Sequence, residues 1–191
     1  PGTSIHRLYM GIERLLERGT DLFLFESEYI AERYRTFVCE PSGLQRIALN
    51  GLYPHEFEPV HPAEDALDFL YIGEYRFAKG LDTLLTAMAA LASRPQGPPT
   101  LVMVGQGPEE PALRNRAMEL GLAGHVTFRK PMAAREAFKL ARVMVVPSRF
   151  ESMPYVVIEA AGARMPMIST NVGGIPEIFG DEGHRLLAPE D

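Results

Sequence analysis

From residue 67 to the end of the chain, short apolar runs alternate with stretches of helical periodicity, and this alternation restricts the fold more than any other feature. The runs Phe69–Gly73, Thr100–Gly105, Val126–Phe128, Val143–Pro147, Pro166–Thr170 and Arg185–Ala188 read as strands. Helices are expected between them at Leu81–Ala92, Glu110–Leu120, Ala133–Leu140 and Pro154–Ala163, with a short one from Ile175. Strands alternating with helices imply α/β architecture, a doubly wound parallel sheet covered on both faces. Non-alternating runs such as "VMVVP" suit strands buried on both sides. In such sheets ligands bind outside the carboxyl ends of the strands, where loops lead into helix N-termini.

The first 66 residues differ in texture. "IHRLYMGIERLLERG" places Ile5, Leu8, Ile12, Leu15 and Leu16 at helical spacing and stops at Gly19. "DLFLF" reads as a short strand, and Ser27 as the cap of a helix through "EYIAERYRTFV". Prolines at 41, 54, 59 and 62 and glycines at 43 and 51 mark the next segment, with one strand near Leu44–Leu49. The expected division is residues 1–40 as the end of a preceding domain, 41–66 as a linker, and 67–191 as a ligand-binding domain truncated at its C-terminal end. A chain that runs from Pro1 to Asp191 in this way is expected to be an excised piece of a longer protein.

Composition narrows the function classes. With 46% hydrophobic and 23% charged residues, 191 residues can bury a substantial core. A net charge of -6 argues against a protein that coats nucleic acid or an anionic membrane, both of which need a dominant basic field. Cys39 is the single cysteine and the five histidines lack ligand spacing, so neither an internal disulfide nor a structural metal is expected. No apolar run approaches the ~20 residues of a membrane span. A cytoplasmic setting is expected, or one peripheral to the inner membrane for a longer protein.

Four loops carry the chemistry. "GEYRFAKG" starts with Gly73, brings the cations Arg76 and Lys79, and opens a helix whose amides are unpaired. It suits a diphosphate, or simply holds two solvated cations. "VGQGPEEP" begins like a dinucleotide-binding fingerprint but has Glu110 where the third glycine belongs, which disfavours a dehydrogenase. In "SRFESMPYVVIEAA", Glu151 stands at a helix mouth and Pro154 suits the first helical position. Glu159 follows among Val156, Val157, Ile158, Ala160 and Ala161, and an unpaired buried carboxylate is costly. Two readings stand: a salt bridge to Arg164 or Arg142, or a partner in a ligand's hydroxyls. Finally, "STNVGGIPEI" offers Gly173 and Gly174, for close ligand approach or for a tight turn.

Taken together and in order, "GEYRFAKG", "VGQGPEEPAL", "VTF" and "VMVVPSRFESMPYVVIEAAGARMPMISTNVGGIPEI" resemble the C-terminal domain of the retaining glycosyltransferases of family 4, also called group 1. The resemblance implies a Rossmann-like sheet forming the C-terminal half of a two-domain GT-B architecture, and it covers roughly residues 67–191. "RIALNGLYPHEFEPV" is similar to the family's interdomain segment. By the resemblance, Glu151 contacts the donor sugar and is the catalytic carboxylate, Glu159 holds the ribose hydroxyls, and Lys79 contacts the diphosphate. Glu74 stands where the family has arginine, and Arg76 is then the second cation for the diphosphate. The amides of Met153 and Tyr155 would join the phosphate site, with Gly73, Gly173 and Gly174. Main chain around Phe128, Arg129 and Lys130 would meet the base, UDP and GDP both being open. Lys130 also departs from the family's usual glycine.

The implied partners are a nucleotide sugar and an acceptor glycan, glycolipid or small molecule bound mainly by a domain outside this chain, with no cofactor and no metal. The implied reaction is transfer of a sugar with retention, in which cations and helix amides stabilise the departing diphosphate. Because acceptor binding lies elsewhere, the fragment alone is expected to be inactive. A non-catalytic nucleotide-sugar-binding module is the alternative. A phosphorylase or epimerase of similar architecture stands third, the phosphorylase marked by a lysine-linked pyridoxal group.

Overall fold

The computed structural model describes residues 4–93 and 97–190; Pro1 and Asp191, the outer bounds of the expected domains, lie outside them. The chain divides into two compact units, residues 1–50 and 51–191.

The first unit contains helix α1 (Ser4–Glu17), strand β1 (Leu22–Phe25), helix α2 (Glu28–Phe37) and strand β2 (Leu44–Ile47). The two strands pair in parallel, Leu22 opposite Leu44. Ser27 caps α2 as its residue type requires, its Oγ accepting from the Ile30 amide at 3.1 Å. Phe23 and Phe25 each lie 5.5 Å from the Tyr34 ring, which joins β1 to α2. The apolar stripe of α1 (Ile5, Leu8, Ile12, Leu15, Leu16) is exposed.

The second unit is a five-stranded sheet. Its elements are β3 (Leu67–Ile72), α3 (Leu81–Ala90), β4 (Leu101–Val104), α4 (Glu110–Glu119), β5 (Val126–Arg129), α5 (Ala134–Phe138), β6 (Ala141–Val146), α6 (Tyr155–Gly162), β7 (Met167–Ser169) and α7 (Ile175–Phe179). The strand order is β5-β4-β3-β6-β7, and every pair is parallel. Successive side chains of a strand face opposite ways, so the apolar runs divide between two layers. Leu70, Val102, Val104, Met144 and Val146 pack with Ala137, Phe138, Val157, Ala160 and Ile175 of α5, α6 and α7. Tyr71, Leu101, Met103 and Val145 pack with Leu84, Leu85, Met88, Leu113 and Ala117 of α3 and α4. This two-sided burial explains why β4, "LVMV", is buried at every position.

Two elements differ from the sequence expectation. The run Arg185–Ala188 is not a strand: a 3-10 stretch covers Gly180–Arg185, and only Leu187 bridges, to Thr170. Apolar residues Leu186 and Leu187 mimicked a strand, but the helical stretch leaves too few extended residues for a ladder. Pro154 is the cap before α6 rather than its first residue, with ψ 118. Its extended backbone still lets its carbonyl accept from the Val157 amide at 3.1 Å. The region expected as a linker carries β2 and then, from Gly51, a 3-10 turn at Pro54–Phe57 held by Arg135, which donates to the carbonyls of Glu56 and Glu58.

The loops leaving β3 and β6 meet at Gly80. This residue has φ 63, and a Cβ there would stand 2.0 Å from the Pro147 carbonyl oxygen. Only glycine accepts both the left-handed backbone and the close approach. Gly80→Ala is expected to cost about 2 kcal/mol or more in urea denaturation. A change below roughly 0.5 kcal/mol, the scale of neutral surface substitutions, would show that the two loops are not locked there.

Candidate functional site

The site begins with topology. The chain leaves β3 for β4 on one side of the sheet, while β6 lies against the other side of β3. Open α/β sheets bind ligands in a crevice at such a reversal, beyond the carboxyl ends of the strands. Residues 73–80 follow β3 and residues 147–154 follow β6, so both stand at that point.

There Lys79 meets Glu151. The Lys79 Nζ donates to both carboxylate oxygens, at 2.7 and 2.9 Å, across 72 positions of sequence. Glu151 is 9% exposed and Lys79 27%, so the pair sits at the rim of the interior. Ser148 adds a third bond, its Oγ donating to Glu151 Oε1 at 2.7 Å. Each additional donor helps to fix the orientation of the carboxylate.

Gly173 and Gly174 brace Glu151 from behind. Gly173 has φ 62, and a Cβ there would fall 2.0 Å from the Glu151 carbonyl oxygen. The Gly174 amide donates to the Ser152 carbonyl at 2.6 Å. In this structure the paired glycines admit the protein's own backbone, and the Gly174 amide is already engaged.

Arg76 lies on the open side of the same loop and pairs with Glu74 at 2.7 Å, both side chains largely exposed. An exposed pair of this kind contributes little, on the order of 0–1 kcal/mol, so it yields readily to a competing anion. Beneath it the Tyr71 hydroxyl donates to the Glu74 carbonyl at 2.9 Å. Burial first, and then the Glu151 charge, push the Tyr71 phenol far above its usual range. It stays a hydrogen-bond donor.

Beside Gly73 a cleft of about 340 Å³ is lined by Ile72, Gly73, Glu74, Val104, Gly105, Gln106, Pro131 and Met132. Phe128 and Arg129 are placed differently from Gly73. The Phe128 ring packs edge-on to Tyr75 at 6.1 Å with the Arg114 guanidinium over its face at 4.3 Å. The Arg129 carbonyl accepts from the Gly105 amide at 3.0 Å. The cleft wall on that side is made by the residues after Lys130.

The amides of Val157 and Ile158 bond to the Pro154 carbonyl. Those of Tyr155 and Val156, the first two of α6, have no acceptor within the helix, and the positive end of the helix dipole adds to them. Met153 is buried at the approach and Tyr155 is exposed. One and a half turns on, Glu159 is half-buried. Among the described residues its carboxylate forms no salt bridge, with Arg142, Arg164 or any other cation. Burial, and then the nearby Glu56, raise its pKa above the ordinary carboxylate value. Burial against a like charge, without a compensating cation, removes the salt-bridge reading of this residue.

The structure therefore unites Lys79, Glu151, Gly173 and Gly174, and keeps Phe128 and Arg129 in the ladder of β5. Sequence reasoning missed Ser148 and the pair Pro131–Met132. Ser148 had one signal, a hydroxyl between a buried strand end and Glu151.

A parallel sheet with helices on both faces, its Lys79–Glu151 pair at the switch point, defines a doubly wound α/β domain. A sequence model for glycosyl transferases group 1 matches residues 54–191. The chain belongs to that family, and its fold is that of GT-B glycosyltransferases.

Similar proteins agree. The chain is 32% identical, over 92% of its length and 50% of the relative's, to the GDP-mannose-dependent alpha-(1-6)-phosphatidylinositol monomannoside mannosyltransferase of Mycobacterium tuberculosis. It is 36% identical to the D-inositol 3-phosphate glycosyltransferase of Streptomyces avermitilis, over 80% of this chain and 36% of that one. Sucrose-phosphate synthase from Thermosynechococcus elongatus superposes with TM-score 0.82 at 27% identity, over 97% of this chain and 49% of the other. The chain thus spans half or less of these relatives.

Because the folded-state pKa of Glu159 is raised, its ionisation costs stability as pH climbs through the ordinary value and up to the raised one. Glu159→Gln removes that cost. At neutral pH the variant is expected to melt at or slightly above the wild-type midpoint, and to lose the wild type's decline in stability across that window. A large drop in melting temperature would show that Glu159 has a stabilising partner.

Proposed function

We propose that this chain is the donor-binding half of a glycosyltransferase that takes a sugar from a nucleoside diphosphate and passes it to an acceptor, with retention of configuration. The observation that supports it most is the meeting of Lys79 and Glu151 at the switch point. A cation for a phosphate and a carboxylate for a sugar stand within bonding distance of each other. Breaking a glycosyl–diphosphate bond places positive charge on the sugar and negative charge on the departing phosphate. Lys79 and the leading amides of α6 oppose the second, and Glu151 opposes the first. Glu159 would accept from ribose hydroxyls, and the cleft at Pro131–Met132 would hold the base.

The relative from Mycobacterium tuberculosis is named for GDP-mannose, which makes a GDP-linked sugar the first donor to test. The acceptor, a glycan, glycolipid or small molecule, would be held mainly by a domain outside this chain. Function without a divalent metal is part of the proposal: among the described residues no three His, Cys, Asp or Glu side chains cluster as a metal site would require. Among the same residues no helix is long and apolar enough to cross a membrane. A second reading, a nucleotide-sugar-binding module without transfer, draws on the Glu74–Arg76 pair, in which one of the two expected cations is already neutralised.

Lys79→Ala is expected to weaken a nucleoside diphosphate about tenfold or more while leaving the nucleoside nearly unchanged, the scale of one charge-assisted hydrogen bond at ~1.5–3 kcal/mol. Calorimetry with GDP, UDP and ADP and their nucleosides checks this; equal loss for both would remove Lys79 from the diphosphate site. In the full-length protein, sugar transfer is expected to persist in chelator. Activity lost in chelator and restored by magnesium or manganese would overturn the metal-independent mechanism, and no transfer under any condition would favour the binding module.

A further inference from the structure

Arg149 lies two residues before Glu151, and its side chain is 9% exposed. A cation in that position invites assignment to the phosphate, but its donors are spent. Nη1 donates to the Phe77 carbonyl at 2.9 Å and Asp82 Oδ1 at 2.8 Å. Nη2 donates to Asp82 Oδ2 and Thr83 Oγ1, both at 3.0 Å. Nε donates to Glu190 Oε1 at 2.6 Å. A guanidinium has five N–H donors in a fixed fork, and here each has an acceptor. Its face covers the Phe77 ring at 4.4 Å.

The backbone repeats the pattern. The amides of Arg149 and Phe150 both donate to the Ala78 carbonyl, at 2.8 and 3.2 Å. Residues Phe77–Lys79 form a 3-10 turn, so two successive carbonyls of that turn, those of Phe77 and Ala78, hang from residues 149 and 150. Lys79 is the next residue of the turn. Asp82 and Thr83 belong to the first turn of α3, which the fork ties to the same point.

We infer that Arg149 is a positioning residue. It takes no part in binding the ligand, and it fixes the turn that carries Lys79 beside Glu151, where the ammonium is placed for a diphosphate. The inference rests on the donor-binding reading. A rigid planar fork suits this task, because a lysine at 149 has neither the bidentate geometry nor the flat face.

The test compares affinities for a nucleoside diphosphate and its nucleoside in the wild type, Arg149→Ala, Lys79→Ala and the double variant. Arg149→Ala is expected to lower the diphosphate-to-nucleoside affinity ratio fivefold or more in the wild-type background. In the Lys79→Ala background it should lower it less than twofold, since there is no ammonium left to position. Asp82→Asn, which keeps the shape and weakens the fork, should give a smaller loss of the same kind and serves if Arg149→Ala does not fold. An unchanged ratio in both variants, whatever their melting points, would overturn the inference and reduce Arg149 to a structural tie. An equal loss with and without Lys79 would overturn it in favour of direct contact with phosphate. Wild type that binds no nucleoside diphosphate would overturn the donor-binding reading beneath it as well.

Discussion

Everything proposed for the site depends on the loops after β3 and β6 coming together closely enough for Lys79 to reach Glu151. The sheet order puts the two strands side by side, and Gly80 allows one loop to lie against the Pro147 carbonyl of the other. Lys79, next to that contact, then has a short path to the carboxylate. Behind Glu151, Gly173 lets a third loop close up. The glycines therefore act on the site indirectly, by setting how near three backbones come.

The charge balance follows from the same geometry. Lys79 is matched by Glu151, Arg76 by Glu74, and Arg149 by Asp82 and Glu190. A diphosphate bound as proposed would compete for cations that are already paired. The pairs differ in how readily they yield: the exposed Arg76–Glu74 contact is weakly held, whereas Arg149 is fully engaged. Lys79 lies between them, partly exposed and held by Glu151 in a pair at 2.7 Å. Glu159 is the complement of this pattern, a half-buried carboxylate without a cation among the described residues, whose raised pKa registers the missing partner.

Much of this was legible in the sequence because it depends on periodicity. Apolar runs such as "LVMV" and "VMVV" can be buried on both faces only as interior parallel strands, and the helices between them place loops 73–80 and 147–154 at one end of the sheet. The resemblance of the loop motifs then singled out Lys79, Glu151 and Glu159. Tertiary distance was not legible. No local pattern says that Gly174 spends its amide on Ser152, that the Arg129 carbonyl belongs to Gly105, or that all five donors of Arg149 are taken. The Arg185–Ala188 run misled because two adjacent leucines look alike in a strand and beside a single bridge.

A crystal structure of this chain with a nucleoside diphosphate tests the central claim most directly. The account predicts a diphosphate oxygen about 3 Å from Lys79 Nζ, ribose hydroxyls on the Glu159 carboxylate, and Arg149 unmoved on Phe77 and Asp82. A nucleotide bound away from the β3–β6 crevice, with Lys79 still donating to both oxygens of Glu151, would contradict it.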